Sequence, residues 1–211
     1  LYFGGQLGPS SLTNIMESWN GSSWTETTDM NSSRRLVAGN GISTSALAYG
    51  GWAPNNTAIT ESWNGSSWTE VADLNTARNS HRGFGVSNTS AIAVGGSSAA
   101  TESWNGSAWT EVNDLNTNRT DPGAVGTTSA GFAFGGYTGT ANSANAEDWN
   151  GASWSETSDL NSSRRAGGGA GTTSAAAYFG GAGTPGGTDT ISTATEEWSG
   201  SSVVSKTVDT D

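Results

Sequence analysis

His81 is the only imidazole in the 211 residues, and the chain has no cysteine. Disulfides, thiolate metal sites and cysteine nucleophiles are therefore impossible, and the fold is indifferent to redox compartment. The acids are richer. Glu17, Glu61, Glu102, Glu147 and Glu196 recur along the chain, each two residues before a tryptophan. Carboxylates in such numbers are the material of general acid–base pairs and of cation sites. A residue that returns in the same local context every time is expected to serve that context, by accepting hydrogen bonds from its own or the next unit. A calcium loop needs several carboxylates at alternate positions, and Asp209-Thr210-Asp211 is too short to be one. Arg34, Arg78, Arg119 and Arg164 also come one per unit, which reads as a structural tie. His81, beside Arg82, reads as a surface residue of a connecting loop.

The composition narrows the partners. Gly is 31 of 211 residues, Trp is 10 and charged residues are 13%. Low charge with frequent Gly is a disorder signature, but ten regularly spaced indoles need an interior. Helical spacing of apolar residues is absent, so the chain reads as all-β. The net charge is −11, with seven Arg and the single Lys206. Nucleic-acid binding would need a basic face, so it is not expected. Acidic excess repels anionic membranes and names no partner. No apolar run approaches the roughly 18 residues that span a bilayer, and no signal peptide is read. No cofactor is expected.

Three markers recur in constant order. Trp-Asn-Gly-Ser-x-Trp begins at Trp19, Trp63, Trp104 and, with Ala152 for the serine, Trp149, and a degraded copy runs from Trp198 to Val203. The steps are 44, 41, 45 and 49 residues. An apolar stretch ends in diglycine at Gly4-Gly5, Gly50-Gly51, Gly95-Gly96, Gly135-Gly136 and Gly180-Gly181. Asp-(Leu/Met)-Asn-x-x-Arg runs from Asp29, Asp73, Asp114 and Asp159 to Arg34, Arg78, Arg119 and Arg164. The repeats are approximately 1–35, 36–79, 80–120, 121–165 and 166–211 of one domain.

Each repeat divides into four short strands. Around the fourth, Glu147-Asp148-Trp149 ends one strand, residues 153–157 form another, 168–172 a small-residue strand and 175–180 an apolar one. Asn-Gly between tryptophans is a hairpin signal, since Gly and, next, Asn tolerate positive φ. Four short strands every 40–50 residues are the blade pattern of a β-propeller. The first copy, opening at Leu1 without Met, lacks its small-residue strand, which gives nineteen strands and an expectation that upstream residues were removed or left out. Very small inner strands such as Gly167 to Gly171 permit close approach at the axis, and five blades with one incomplete is the expected ring; a larger ring is the alternative.

Diglycine, then Glu-x-aromatic, then Trp, then Arg resembles the kelch repeat across essentially the whole chain, with Trp63 and its counterparts where kelch repeats carry Tyr. The resemblance implies that Trp19, Trp24, Trp63, Trp68, Trp104, Trp109, Trp149, Trp154 and Trp198 pack between blades, and that Arg34, Arg78, Arg119 and Arg164 tie blade to blade. Val203 departs from the pattern, and the fifth repeat has no Arg. Some kelch-type propellers are enzymes. A copper oxidase of the galactose-oxidase kind needs paired His and a Cys-modified Tyr, and a sialidase-type site needs clustered Arg, so no enzyme is expected. The near-identical copies (Ser67 to Thr76, Ala108 to Thr117) also resemble kelch-like arrays in virion and tail-fibre proteins of marine bacteriophages.

The segment from diglycine to Glu varies, spanning 12, 10, 6, 11 and 15 residues. Alternating strand direction puts these loops on one face with the Arg-bearing linkers, and binding residues concentrate on such loops over a rigid scaffold. Trp52 and Tyr137 each follow a diglycine, and with Asn55, Asn56, His81 and Arg82 they are the candidate contacts. The Asn-Gly turns lie on the opposite face. The expected function is a binding module on a virion surface, recognising a host-surface glycan or protein. The alternatives are an architectural role among other virion proteins, a cellular kelch-like interaction scaffold, and a secreted protein.

Overall fold

The Trp-Asn-Gly-(Ser/Ala)-x-Trp block folds into the same corner at each of its four full copies. The two tryptophans are directly paired across antiparallel strands, as in Trp63 with Trp68 and Trp104 with Trp109. Their rings lie 5.3–5.5 Å apart. The turn departs from the expectation that the Asn-Gly pair works through positive φ at both residues. It has four residues, and only the glycine is left-handed (Gly65, φ 99°). The asparagine acts through its side chain: Asn64 Oδ1 accepts the amides of Ser66 and Ser67 at 2.9 and 3.0 Å.

The computed structural model describes residues 1–8, 11–183, 190–199 and 203–206, and its architecture is a five-bladed β-propeller. Blade 1 has three strands, β1 (Tyr2–Leu7), β2 (Ser11–Trp19) and β3 (Trp24–Glu26). Blade 2 is β4 (Ala38–Ile42), β5 (Ser45–Tyr49), β6 (Thr60–Trp63) and β7 (Trp68–Val71). Blade 3 is β8 (Arg82–Ser87), β9 (Ser90–Val94), β10 (Thr101–Trp104) and β11 (Trp109–Val112). Blade 4 is β12 (Gly123–Thr127), β13 (Ala130–Phe134), β14 (Ala146–Trp149) and β15 (Trp154–Glu156). After β16 (Arg164–Arg165), blade 5 is formed by β17 (Gly168–Thr172), β18 (Ala175–Phe179), β21 (Thr195–Trp198) and β22 (Val203–Lys206). Two further short strands, β19 (Ala182–Gly183) and β20 (Thr190–Ile191), join β16 in a separate small sheet. The strands read around the fourth repeat divide between two sheets: β14 and β15 finish blade 4, whereas β17 and β18 open blade 5.

The inner strands β4, β8, β12 and β17 pack against one another in chain order. Glycine permits this. A Cβ on Gly83 would stand 1.7 Å from the Tyr49 hydroxyl and 2.6 Å from the Ile92 carbonyl, so no other residue fits where blades 2 and 3 meet. Farther out, aromatic rings fill each joint between successive blades. Trp68 meets Phe3 at 5.3 Å, Trp109 meets Tyr49 at 4.9 Å, Trp154 meets Phe84 at 6.3 Å and Trp198 meets Phe132 at 5.0 Å. The indole N–H groups of Trp109 and Trp154 donate to hydroxyls of the preceding blade, Thr60 at 3.0 Å and Thr101 at 3.1 Å. Burying each indole contributes about 2–3 kcal/mol.

Trp19 and Trp24 depart from this role. They pack on each other in blade 1 but are 47% and 53% exposed, while the other tryptophans of the repeat motif are 7% exposed or less.

Candidate binding face

The Asp-(Leu/Met)-Asn-x-x-Arg motif is a clamp, and each of its residues has one task. Asp73 Oδ1 takes the amide of Thr60 within its own blade at 3.1 Å. Leu74 enters the core. Asn75 then reaches into blade 3, where its backbone N–H and Nδ2 donate to Glu102 Oε2 at 2.7 and 2.8 Å. Arg78 Nη2 takes the other oxygen, Oε1, at 2.7 Å, and Nη1 donates to the carbonyls of Gly95 and Ala100. Arg34 with Glu61, Arg119 with Glu147 and Arg164 with Glu196 repeat the pairing at the other joints. All four arginines are buried. Burial lowers the affinity of Arg34, Arg78 and Arg119 for their protons, and the facing glutamate opposes that shift. Four of the recurrent glutamates are thus committed to joining blades. The clamping asparagines Asn31, Asn75, Asn116 and Asn161 were not singled out from the sequence, although their fixed place in the motif was the signal.

The diglycines connect these clamps to the loop face. Gly51 N donates to the Arg78 carbonyl at 2.8 Å, and Gly136 N does the same to Arg164. The residues that follow are not free loops. Trp52 exchanges backbone hydrogen bonds with Arg35 at 2.8 and 3.2 Å and bridges to Asn56. Tyr137 exchanges them with Thr120 at 2.8 Å and bridges to Asn142. The sheet of β16, β19 and β20 occupies the same place in repeat five. The variable segments and the Arg-bearing linkers therefore share one face, as the alternation of strands predicted. Both candidate aromatics are half-buried. The Arg35 guanidinium lies 4.5 Å over the Trp52 ring, and that of Arg165 lies 4.6 Å over Tyr137. Neither arginine stood out in the sequence.

Trp52 and Tyr137 stand on blades 2 and 4, with blade 3 between them. Asn55 and Asn56 are exposed near Trp52, and Asn56 accepts a hydrogen bond from Asn79 in the next linker. Arg82 is half-buried, 3.9 Å from Asp121. His81 corrects the expectation of a surface residue. It is fully buried, with its ring 5.7 Å from that of Tyr49 and its side chain against the diglycine positions Gly50 and Gly96. Burial first, and then the charges of Arg78 and Arg82, hold its proton affinity well below the ordinary imidazole value.

Near the axis the linkers turn sharply. Leu36, Ser80, Asp121 and Ala166 each stand two residues after a clamp arginine, and all have φ between 49° and 56°. Asp121 N donates to the Ser80 carbonyl at 2.6 Å, and Ala166 N to the Asp121 carbonyl at 3.0 Å. Left-handed backbone at non-glycine residues is strained by about 1 kcal/mol or more each, and these hydrogen bonds between successive linkers hold it in place.

Among the described residues no group of three or more His, Asp or Glu side chains is placed to hold a metal; residues 209–211 lie outside the described residues. No protein-family model matches the chain, and no curated protein matches it.

Proposed function

We propose that this propeller is a non-enzymatic recognition module of kelch type that works on a virion surface and binds a host-surface glycan or protein through its variable-loop face. The observation that carries the reading is the division of labour within each repeat. Glutamate, asparagine and arginine of the repeated motif are used up in the clamps, while the segments of variable length are pinned by backbone bridges onto one face. Pinned loops lose little conformational entropy on binding. Flat aromatics such as Trp52 and Tyr137 offer large contact area at low entropic cost, and Asn55 and Asn56 add exposed amides for hydrogen bonding. The near-identical copies, and their resemblance to phage arrays, support the virion setting.

A second reading has its own support. Arg35 and Arg165 each cover a face of the candidate aromatics, as they would in a disc that only spaces or decorates an assembly. Screening the chain and its Trp52→Ala and Tyr137→Ala variants on glycan arrays separates the two. Binding that is lost in either variant, with the fold intact by circular dichroism, supports recognition. No binding across broad glycan and host-surface preparations favours the architectural role.

A further inference from the structure

We infer that His81 is an acid-sensitive latch on the loop face. While its ring is neutral it seats the linker between blades 2 and 3 and keeps the adjoining loops ordered. A proton on the ring releases that joint ahead of the others. The switch acts on the order of the face, whatever the face binds.

The place that His81 fills recurs three residues after each clamp arginine, where Val37, Pro122 and Gly167 are its counterparts. Val37 packs against Gly4 of the preceding blade and Gly51 of its own, and His81 likewise against Gly50 and Gly96. Only between blades 2 and 3 is this wedge titratable. The ring is fully buried, and a Cβ on Gly50 would stand 2.4 Å from its Cε1. Neither ring nitrogen has a hydrogen-bond partner. Arg78, Arg82 and Arg34 are the charges that face it, and all three oppose a further positive charge; only the Tyr49 carbonyl favours one. The Tyr49 phenol beside it stays protonated, because burial raises its proton affinity. The nearby carboxylates are already engaged, Glu61 with Arg34, Glu102 with Arg78, and Asp121 at 3.9 Å from Arg82. A proton therefore enters only when the ring leaves its place.

The linker that leaves with it fastens three parts of the face. Asn79 Nδ2 donates to Asn56 in the loop that carries Trp52. Arg78 N donates to the Thr57 carbonyl at 3.2 Å, and Gly51 N to the Arg78 carbonyl at 2.8 Å. Asp121 N, in the next linker, donates to the Ser80 carbonyl at 2.6 Å. Ser80 itself is left-handed, φ 53°, so lifting the segment also relieves backbone strain. Such local openings need less free energy than global unfolding. The closed joint holds a neutral imidazole and the open one an ordinary imidazole. Opening is therefore indifferent to pH above about 6.5 and grows about tenfold for each pH unit below it.

The test is residue-resolved amide hydrogen exchange of the chain between about pH 7 and 5, corrected for intrinsic exchange rates. Gly51, Arg78 and Asp121 report the latch. Gly136 and Arg164, which donate to the carbonyls of Arg164 and Ser143, hold the places of Gly51 and Arg78 at the joint between blades 4 and 5, where Gly167 stands for the histidine. Opening at the first three amides should rise about tenfold per unit as the pH falls, and less at the other two. His81→Val, which copies Val37, should remove the excess. Equal acid responses at the two joints, no response at Gly51 and Arg78, or a response that survives in His81→Val would overturn the latch. If the valine variant fails to fold, the comparison of the two joints within the native chain still decides.

Discussion

Arg78 of the second repeat donates to Glu102 of the third across 2.7 Å, with both side chains almost wholly out of solvent. Two charges so placed lose their hydration, and they are tolerated because every remaining acceptor on the carboxylate is also used. Asn75 fills the second oxygen, and carbonyls of blade 3 take Arg78 Nη1, which leaves Nε buried without a hydrogen-bond partner. The pair links two separate sheets, so its loss is felt as a loosened joint.

Asn75→Ala keeps the backbone bond to Glu102 but removes the Nδ2 bonds to that carboxylate and to the Trp109 carbonyl. Hydrogen bonds to charged groups contribute about 1.5–3 kcal/mol each. The variant is expected to lose about 2 kcal/mol, read as a Tm lower by roughly 4–8 °C.

Two tryptophans at the same motif position should respond differently. Trp104 is 2% exposed and donates to the Asn88 carbonyl at 2.9 Å, whereas Trp19 is 47% exposed. Trp104→Ala is expected to cost about 3–5 kcal/mol. Trp19→Ala should cost less than half of that in parallel denaturant titrations.

His81 makes stability depend on pH. Its folded proton affinity lies well below the ordinary imidazole value of 6.5, so it stays neutral while the unfolded chain takes up a proton. Its contribution is complete above about pH 6.5 and is lost as the pH falls below that, with a limiting slope of about 1.4 kcal/mol per unit. Denaturant midpoints between about pH 6.5 and 5 should show this slope in the native chain and not in His81→Gln.

Ala166 holds a left-handed conformation, φ 56°. Glycine adopts that region without the steric penalty. Ala166→Gly is therefore expected to be neutral or to stabilise by up to about 1 kcal/mol, the reverse of the usual effect of added glycine, and a thermal melt reads the sign.

The blade pattern was legible because tryptophan, diglycine and the Asp-to-Arg motif each recur in fixed order, and every recurrence is a packing or pairing requirement of one joint. The tie formed by Arg34, Arg78, Arg119 and Arg164 was legible for the same reason. His81 was not. It occurs once, and polarity alone sends a lone histidine to the surface, whereas Tyr49 and the diglycines of two blades enclose it. Nor could the stacks of Arg35 on Trp52 and Arg165 on Tyr137 be read, because the two arginines share a place in the repeat but Arg35 covers the aromatic of the next repeat and Arg165 that of its own. The exposure of Trp19 and Trp24 departs from the motif because, among the described residues, neither has the partner of its counterparts: an inner-turn carbonyl for Trp63, Trp104 and Trp149, and a preceding blade for Trp68, Trp109 and Trp154.

A double-mutant cycle on Arg78 and Glu102 tests most directly whether buried clamps join the blades. Arg78→Met and Glu102→Gln should each cost about 3–5 kcal/mol, because each strands a buried partner, and the double variant should cost little more than one of them, giving a coupling of about 2 kcal/mol or more. Single losses that simply add, within about 0.5 kcal/mol, would contradict the account.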